Sequence, residues 1–258
     1  MLENLVRRFL YYPEPMDPDF PLPAYIQGAV EVWIDSADGN RIHGLYWAAP
    51  ENRPTILFFH GNAQCVFEWA LISEDFKPLE CGLLLLDYPG YGKSSGRPTE
   101  ESCYACGRAA LAWLLESAET PERRIIIFGK SLGGGVAVEL AQNRPVLGVV
   151  LESTFRSMAA VAHNLIPLIP KNAKFPTEQY DSMAKIKNIH APILIIHGDR
   201  DMLIPPEEGR VLFDLANEPK QLYWVHGAGH NDVAIVAGEE YGHTIRKWLD
   251  QIGVKNKK

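Results

Sequence analysis

The sequence GKSLG at residues 129–133 is compatible with two different chemistries. Its Gly-Lys-Ser matches the end of a phosphate-binding loop, whereas the whole stretch fits G-x-S-x-G, the turn that exposes a nucleophilic serine. A phosphate-binding loop needs an earlier glycine, in the pattern G-x-x-x-x-G-K-[ST], but Arg124 stands at that position. A second Gly-Lys-Ser begins at Gly92 and has Asp87 in the corresponding place. Neither stretch can curl its backbone around phosphates, so we exclude nucleotide hydrolysis and take Ser131 as the candidate nucleophile.

A nucleophilic serine also needs a base that takes its proton and an acid that orients the base. When the serine lies between a strand and a helix, the acid and then the histidine follow it along the chain, each after a later strand. Asp201, in the stretch IIHGDRDMLIP, comes shortly after an apolar run and is the candidate acid. Asp199 is its rival. We favour Asp201 because the loop is then long enough to turn the carboxylate back towards the serine.

His230 is the candidate base, since it lies in VHGAGHND, where two glycines make a flexible loop after the last apolar run. The chain contains 8 histidines, and most of them are expected to be ordinary surface or core residues. His226 lies closer to the end of the apolar run, and we interpret it as structural. The same interpretation holds for His60, which ends an earlier run.

The negative charge that develops on a substrate carbonyl needs backbone N–H donors. Leu132, the residue after the candidate nucleophile, supplies one donor. Asn62, which follows the strand-ending His60-Gly61, supplies the other. Because Asn62 contributes its backbone, the sequence predicts no requirement for its side chain.

The candidate residues lie among short apolar runs that alternate with longer amphipathic segments. Continuous apolar runs are typical of strands covered on both faces, and their alternation with helices predicts a mostly parallel, doubly wound α/β sheet. Before them, residues 29–50 form two β runs around Asp38-Gly39, which predicts an antiparallel hairpin. The predicted core strands include residues 55–59, 83–87, 124–129, 147–153, 192–198 and 221–227.

The chain shows no internal repeat or low-complexity segment, so residues 1–258 are expected to form one domain. Residues 154–190 interrupt the alternation between two predicted strands and contain apolar clusters around Leu165 to Ile169. Loops that follow strands form the ligand crevice of such sheets. The insert is therefore predicted to be a short lid, and the alternative is an additional pair of surface helices.

Composition limits the classes of function. The 258 residues carry a net charge of −7, which argues against a nucleic-acid-binding surface. Cys103 and Cys106 form a C-x-x-C without a second pair or a nearby histidine, so we expect reduced thiols and no metal or other cofactor. No apolar run is long enough to cross a bilayer and no signal peptide is recognisable, so a cytoplasmic location is expected. Residues 1–12 fit an amphipathic helix that either docks on its own domain or makes peripheral contact with a membrane.

Several stretches together resemble the α/β-hydrolase superfamily and, within it, the small serine hydrolases with an HGN oxyanion loop. They are FFHGNA, LLLDYPGYGKSSG, GKSLGGGVA, LESTF, IIHGDRDMLIPP and GAGHND, and they extend from residue 58 to residue 232. The resemblance implies the α/β-hydrolase fold and a triad of Ser131, Asp201 and His230. It also implies that the N–H groups of Asn62 and Leu132 form the oxyanion hole and that DYPGYGKSSG is a structural loop.

The residues and the resemblance predict a serine hydrolase that cleaves carboxylic esters or thioesters through an acyl-enzyme. Similar proteins include acyl-protein thioesterase-like enzymes, proteins that hydrolyse lipid esters and aminopeptidases, and the fold does not choose among them. A peptidase would need an acidic or aromatic recess for the amino end of its substrate, which the sequence does not identify. A non-catalytic ligand-binding protein of the same fold is the third hypothesis. Because the insert is short, we expect a shallow pocket for short-to-medium acyl chains.

Overall fold

The computed structural model describes residues 10–166, 168–169 and 177–254. The strands in these ranges are β1 (Val30–Asp35), β2 (Arg41–Trp47), β3 (Thr55–Phe59), β4 (Gly82–Leu86), β5 (Ile125–Lys130), β6 (Gly148–Glu152), β7 (Ile193–Gly198) and β8 (Lys220–Val225). They form one sheet with the spatial order β1-β2-β4-β3-β5-β6-β7-β8.

The first two strands form the predicted hairpin. β1 pairs antiparallel with β2, and Gly39 in the connecting turn has a φ of +84°, which glycine adopts readily. β2 also pairs antiparallel with β4, whereas the other neighbouring strands in the sheet are parallel. The prediction of a mostly parallel sheet with an antiparallel start is therefore confirmed.

Helices join the parallel strands and cover both faces of the sheet. They are α1 (Val66–Trp69), α2 (Ile72–Phe76), α3 (Glu100–Glu116), α4 (Leu132–Ala141), α5 (Met158–Leu165), α6 (Ser182–Lys185), α7 (Pro206–Leu215), α8 (Val233–Ala237) and α9 (Glu239–Gln251). Short 3₁₀ turns lie at Lys77–Leu79, Glu122–Arg124 and Ile186–Asn188.

β3 shows why the central strands are continuous apolar runs. Successive side chains of a strand point to opposite faces of the sheet. Ile56 and Phe58 therefore pack in one core cluster with Trp248 of α9, whereas Leu57 and Phe59 pack in the other, with residues of α3 and α4. β8 differs from this pattern, because it lies at the edge of the sheet and most of its residues are half-buried.

The topology brings the predicted functional residues to one edge of the sheet. Asn62 follows β3, Ser131 follows β5, Asp201 follows β7 and His230 follows β8. Because these strands are parallel, their carboxyl ends lie along the same edge, where α/β sheets bind ligands.

The insert at residues 154–190 contains α5, α6 and a 3₁₀ turn. The first turn of α5 is buried, whereas Leu165, Ile166 and Leu168 are exposed. Part of the insert lies outside the described residues, so its role as a lid stays a prediction.

Residues 1–9, which hold most of the predicted amphipathic helix, lie outside the described ranges. Leu10 and Tyr11 are buried in the core, and the Tyr11 hydroxyl donates to Glu178 Oε2 at 2.6 Å. This part of the segment packs on the rest of the protein, and membrane contact through residues 1–12 stays a prediction. Within the described ranges, no helix is both long and apolar enough to span a bilayer.

Candidate active site

Ser131 occupies a sharp turn between β5 and α4. Its φ of 53° and ψ of −116° lie in a region that residues with side chains rarely adopt, which is typical of a serine held in a strained nucleophile turn. A Cβ on Gly129 would lie 2.3 Å from the carbonyl oxygen of Gly133, and a Cβ on Gly133 would lie 2.1 Å from that of Phe59. The two glycines therefore let the start of α4 pack directly against the ends of β3 and β5.

His230 lies between Ser131 and Asp201. Its Nε2 is 3.0 Å from Ser131 Oγ, and its Nδ1 is 2.7 Å from Asp201 Oδ2. With Nδ1–H donated to the carboxylate, Nε2 keeps a lone pair for the serine proton. The structure thus brings together the three side chains that the sequence predicted, although they follow three different strands.

Asp201 is nearly inaccessible, at 3 % exposed, and both of its carboxylate oxygens are engaged. Oδ1 accepts the backbone N–H groups of Leu203 at 2.9 Å and Ile204 at 2.8 Å, and His197 Nε2 lies 3.4 Å from Oδ2. Burial raises the pKa of Asp201, but hydrogen bonds from His197, His230 and the backbone outweigh burial and hold the pKa below its usual range. Asp201 is therefore ionised and fixed in orientation.

The rival acid, Asp199, faces a different histidine. Its Oδ2 lies 2.9 Å from His226 Nδ1, and its Oδ1 accepts the N–H of Gly227 at 2.7 Å. The His226 side chain is 86 % exposed, so this pair stabilises a surface turn. The structure therefore gives the two carboxylates different partners, and Asp201 is the one that contacts His230.

The loop after β3 passes beside the candidate nucleophile. A Cβ on Gly61 would lie 3.7 Å from the Cβ of Ser131. Asn62 follows Gly61, and Leu132 begins α4, so both candidate oxyanion donors border the serine. In the part of the chain that the structure describes, neither backbone N–H has an acceptor, and each is free to donate to a substrate oxygen.

The Asn62 side chain has a role that the sequence did not predict. Its Oδ1 accepts the backbone N–H of Tyr12 at 3.1 Å and the hydroxyl of Tyr91 at 3.0 Å. These bonds attach the loop to the N-terminal segment and to the loop after β4. The only sequence signal for them is that Tyr91 belongs to the DYPGYGKSSG stretch, which the family resemblance implies is a structural loop.

The C-x-x-C pair lies in the first half of α3, and both thiols are free and buried. Burial raises the pKa of Cys103 to about 12 and that of Cys106 well above its ordinary value, so both stay protonated. Over the described ranges, no group of three His, Cys, Asp or Glu side chains is arranged to hold a metal ion.

Comparison with known proteins identifies the family. A family model for the alpha/beta hydrolase fold matches residues 54–179. Alpha/beta hydrolase domain-containing protein 17B of Homo sapiens is 33 % identical over 226 residues, which cover 86 % of this chain and 76 % of that protein. The chain belongs to the alpha/beta hydrolase family. An uncharacterized protein of Mycobacterium tuberculosis is 34 % identical over 253 residues, which cover 96 % of this alpha/beta hydrolase and 88 % of that protein.

Solved structures show the same alpha/beta hydrolase fold. An esterase of Pyrococcus furiosus superposes with a TM-score of 0.76 at 19 % identity, covering 93 % of this chain and 97 % of that chain. A monoacylglycerol lipase of Paleococcus ferrophilus superposes with a TM-score of 0.63 at 21 % identity, covering 82 % and 99 %. The fold predicted from the sequence is thereby confirmed.

Proposed function

We propose that this alpha/beta hydrolase is a serine hydrolase that cleaves carboxylic esters or thioesters through an acyl-enzyme on Ser131. One observation carries the proposal. His230 lies within hydrogen-bond distance of Ser131 Oγ, at 3.0 Å, and of Asp201 Oδ2, at 2.7 Å. In that arrangement a histidine takes the proton of a serine while a carboxylate orients the histidine.

In the first step, Ser131 Oγ attacks the substrate carbonyl as His230 Nε2 takes the serine proton. The carbonyl oxygen becomes negative, and the N–H groups of Asn62 and Leu132 stabilise it. When the intermediate collapses, the bond to the leaving alcohol or thiol breaks, and His230 returns the proton to the leaving group. Asp201 stays ionised throughout and stabilises the imidazolium.

In the second step, water replaces the alcohol or thiol. The water oxygen attacks the acyl group on Ser131 as His230 takes a proton from the water. The N–H groups of Asn62 and Leu132 stabilise the new oxyanion. The bond between the acyl carbon and Ser131 Oγ then breaks, and Oγ regains the proton from His230. The carboxylic acid leaves, and the enzyme is restored.

The aminopeptidase-like alternative would need an acidic or aromatic recess at the crevice. The protein does contain a cavity of about 740 Å³ whose lining includes Glu74, Asp75, Glu239 and Glu240. Ser131 is not part of that lining, so the cavity does not supply a site for the amino end of a substrate beside the nucleophile. Ester or thioester cleavage is the function that the geometry supports better, and the esterase and lipase among the similar structures are consistent with it.

Kinetics on a series of esters test this function. Each buried methylene contributes about 0.8 kcal/mol, and the exposed Leu165 and Ile166 of a short insert offer limited apolar cover. We expect kcat/KM for p-nitrophenyl esters to be highest for short-to-medium acyl chains and to decrease towards palmitoyl. Aminoacyl amides should react far more slowly. A maximum at palmitoyl would contradict the shallow pocket, and faster cleavage of the amides than of every ester would contradict esterase function.

The pH dependence of ester hydrolysis follows from the Asp201 carboxylate and the His230 ring that it contacts. Although burial raises the pKa of Asp201, its hydrogen bonds with His197, His230 and the backbone hold the pKa below the usual range. Asp201 therefore stays ionised in the pH range where a histidine side chain takes up a proton, and a protonated ring cannot accept the serine proton. We expect kcat/KM to rise by about tenfold per pH unit on the acid side and then to level off. A flat profile, with circular dichroism showing an intact fold at each pH, would exclude a histidine base.

A further inference from the structure

Lys130, the residue before the candidate nucleophile, forms a buried ion pair that the proposed proton transfers do not use. Its Nζ lies 2.6 Å from Glu152 Oε1, and the two side chains are 9 % and 1 % exposed. The residues face each other on the adjacent strands β5 and β6. Because the desolvation cost of a buried ion pair often exceeds its Coulombic gain, such a pair is weak evidence for a role in stability. The contacts of the two side chains point to another role.

Glu152 connects this ion pair to the strained turn. Its main-chain oxygen accepts the N–H of Ser131 at 2.9 Å, and its Oε2 accepts the hydroxyl of Tyr241 at 2.6 Å. Burial and the neighbouring Glu152 raise the pKa of Tyr241 well above its ordinary value, so Tyr241 stays a donor. Glu152 is thus held by α9 through Tyr241 and by β5 through Lys130, and its backbone in turn holds Ser131.

Lys130 also contacts the residue that braces the loop after β3. Its Nζ lies 5.7 Å from the centroid of the Trp69 ring, within the range of a cation–π interaction. The indole N–H of Trp69 donates to the backbone oxygen of Ala63 at 3.1 Å, and Cζ2 of Trp69 lies 3.6 Å from the position of a Cβ on Gly61. Trp69 is therefore hydrogen-bonded to the residue after Asn62 and lies beside the residue before it.

We propose that Lys130 is a positioning residue, which keeps the turn carrying Leu132 and the loop carrying Asn62 in register so that their N–H groups converge on one substrate oxygen. The inference rests on the proposed serine-hydrolase function. Lys130 acts through Glu152 on the turn and through Trp69 on the loop. Because the oxyanion forms only in the transition state, loss of this register should lower kcat and leave KM nearly unchanged.

The test replaces Lys130 by methionine, which approximates the length of the side chain and removes its charge. In Lys130→Met we expect kcat for ester hydrolysis to fall by about 10- to 100-fold. A trifluoromethyl ketone, whose adduct with the serine carries an oxyanion, should bind more weakly by the same factor. Lys93→Met is the matched control, since Lys93 is buried, forms an ion pair with Glu31 and lies 5.2 Å from the Phe67 ring centroid. This control should keep the wild-type kcat.

Wild-type kcat in Lys130→Met would overturn the proposal. An equal loss in Lys93→Met would also overturn it, because the effect would then be the general cost of a missing buried cation. If Lys130→Met fails to fold because Glu152 is left without a cationic partner, the double variant Lys130→Met/Glu152→Gln restores the charge balance. A folded but slow double variant supports the proposal, and a fully active one overturns it. If the wild-type protein hydrolyses no ester, the proposed function itself fails, and this inference fails with it.

Discussion

Ser131→Ala is expected to abolish ester hydrolysis and to leave the fold intact. Alanine lacks the oxygen that lies 3.0 Å from His230 Nε2. The side chain therefore cannot attack the substrate carbonyl, and no acyl-enzyme forms. In a serine hydrolase such a loss lowers kcat by about 10⁶-fold. The remaining rate reflects substrate binding and the oxyanion donors, and it should be about 10³ to 10⁴ above that of the reaction in water. Turnover of a p-nitrophenyl ester measures the loss of activity. The thermal midpoint of unfolding, followed by circular dichroism, shows whether the fold is intact.

Ser153→Ala is the matched control for that variant. Ser153 follows β6, is buried and has a φ of 47°, close to the φ of 53° of Ser131. Its hydroxyl has no hydrogen-bond partner among the described residues. Ser153→Ala should therefore hydrolyse the ester at the wild-type rate. Full activity of Ser131→Ala would contradict the assignment of the nucleophile, and equal losses in both variants would show that the effect is not specific to Ser131.

Asp201→Asn is expected to lower kcat by about 10⁴-fold, whereas Asp199→Asn should have little effect. The amide at position 201 is neutral and can donate a hydrogen bond to Nδ1, which favours the tautomer whose Nε2 carries the proton and cannot act as the base. Asp199 contacts His226 on the surface, at 2.9 Å, and the same change there removes no contact of His230. Steady-state kinetics of both variants on one short-chain ester compare the two positions directly.

Two results of this comparison would contradict the assignment of Asp201 as the acid. A larger loss in Asp199→Asn than in Asp201→Asn would reverse the assignment of the acid. Equal losses would mean that the loop after β7, and not one carboxylate, is what the site requires. The Asp201→Asn variant should also have the wild-type KM, because the aspartate orients His230 and does not bind the substrate.

The candidate nucleophile, acid and base could be predicted because each follows an apolar run. Parallel strands end at one edge of a sheet, so locating Ser131, Asp201 and His230 along the chain was enough to expect them together. The glycines on both sides of Ser131 gave a second local signal, since the turn leaves no room for a Cβ at either position. Local spacing and the topology of the sheet therefore carried this part of the prediction.

The contacts that hold these residues in place could not be predicted in the same way. The Asn62 side chain is fixed by Tyr12 and Tyr91, which come from two other segments of the chain. Lys130 meets Glu152 because β5 lies beside β6 in one particular register, and no periodicity in the sequence specifies that register. Such contacts join residues that are distant in sequence and ordinary in type, so they become visible only when the packing is known.

The most direct test of Ser131 as an activated nucleophile is mass spectrometry of the wild-type protein after incubation with a fluorophosphonate. The reagent forms a stable bond with an activated serine, so it separates an active serine hydrolase from a non-catalytic protein of the same fold. We expect one phosphonyl group per chain, located on the peptide that contains Ser131, and no adduct after heat denaturation. An unlabelled native protein, or a label on any other residue, would contradict the assignment of Ser131 as the nucleophile.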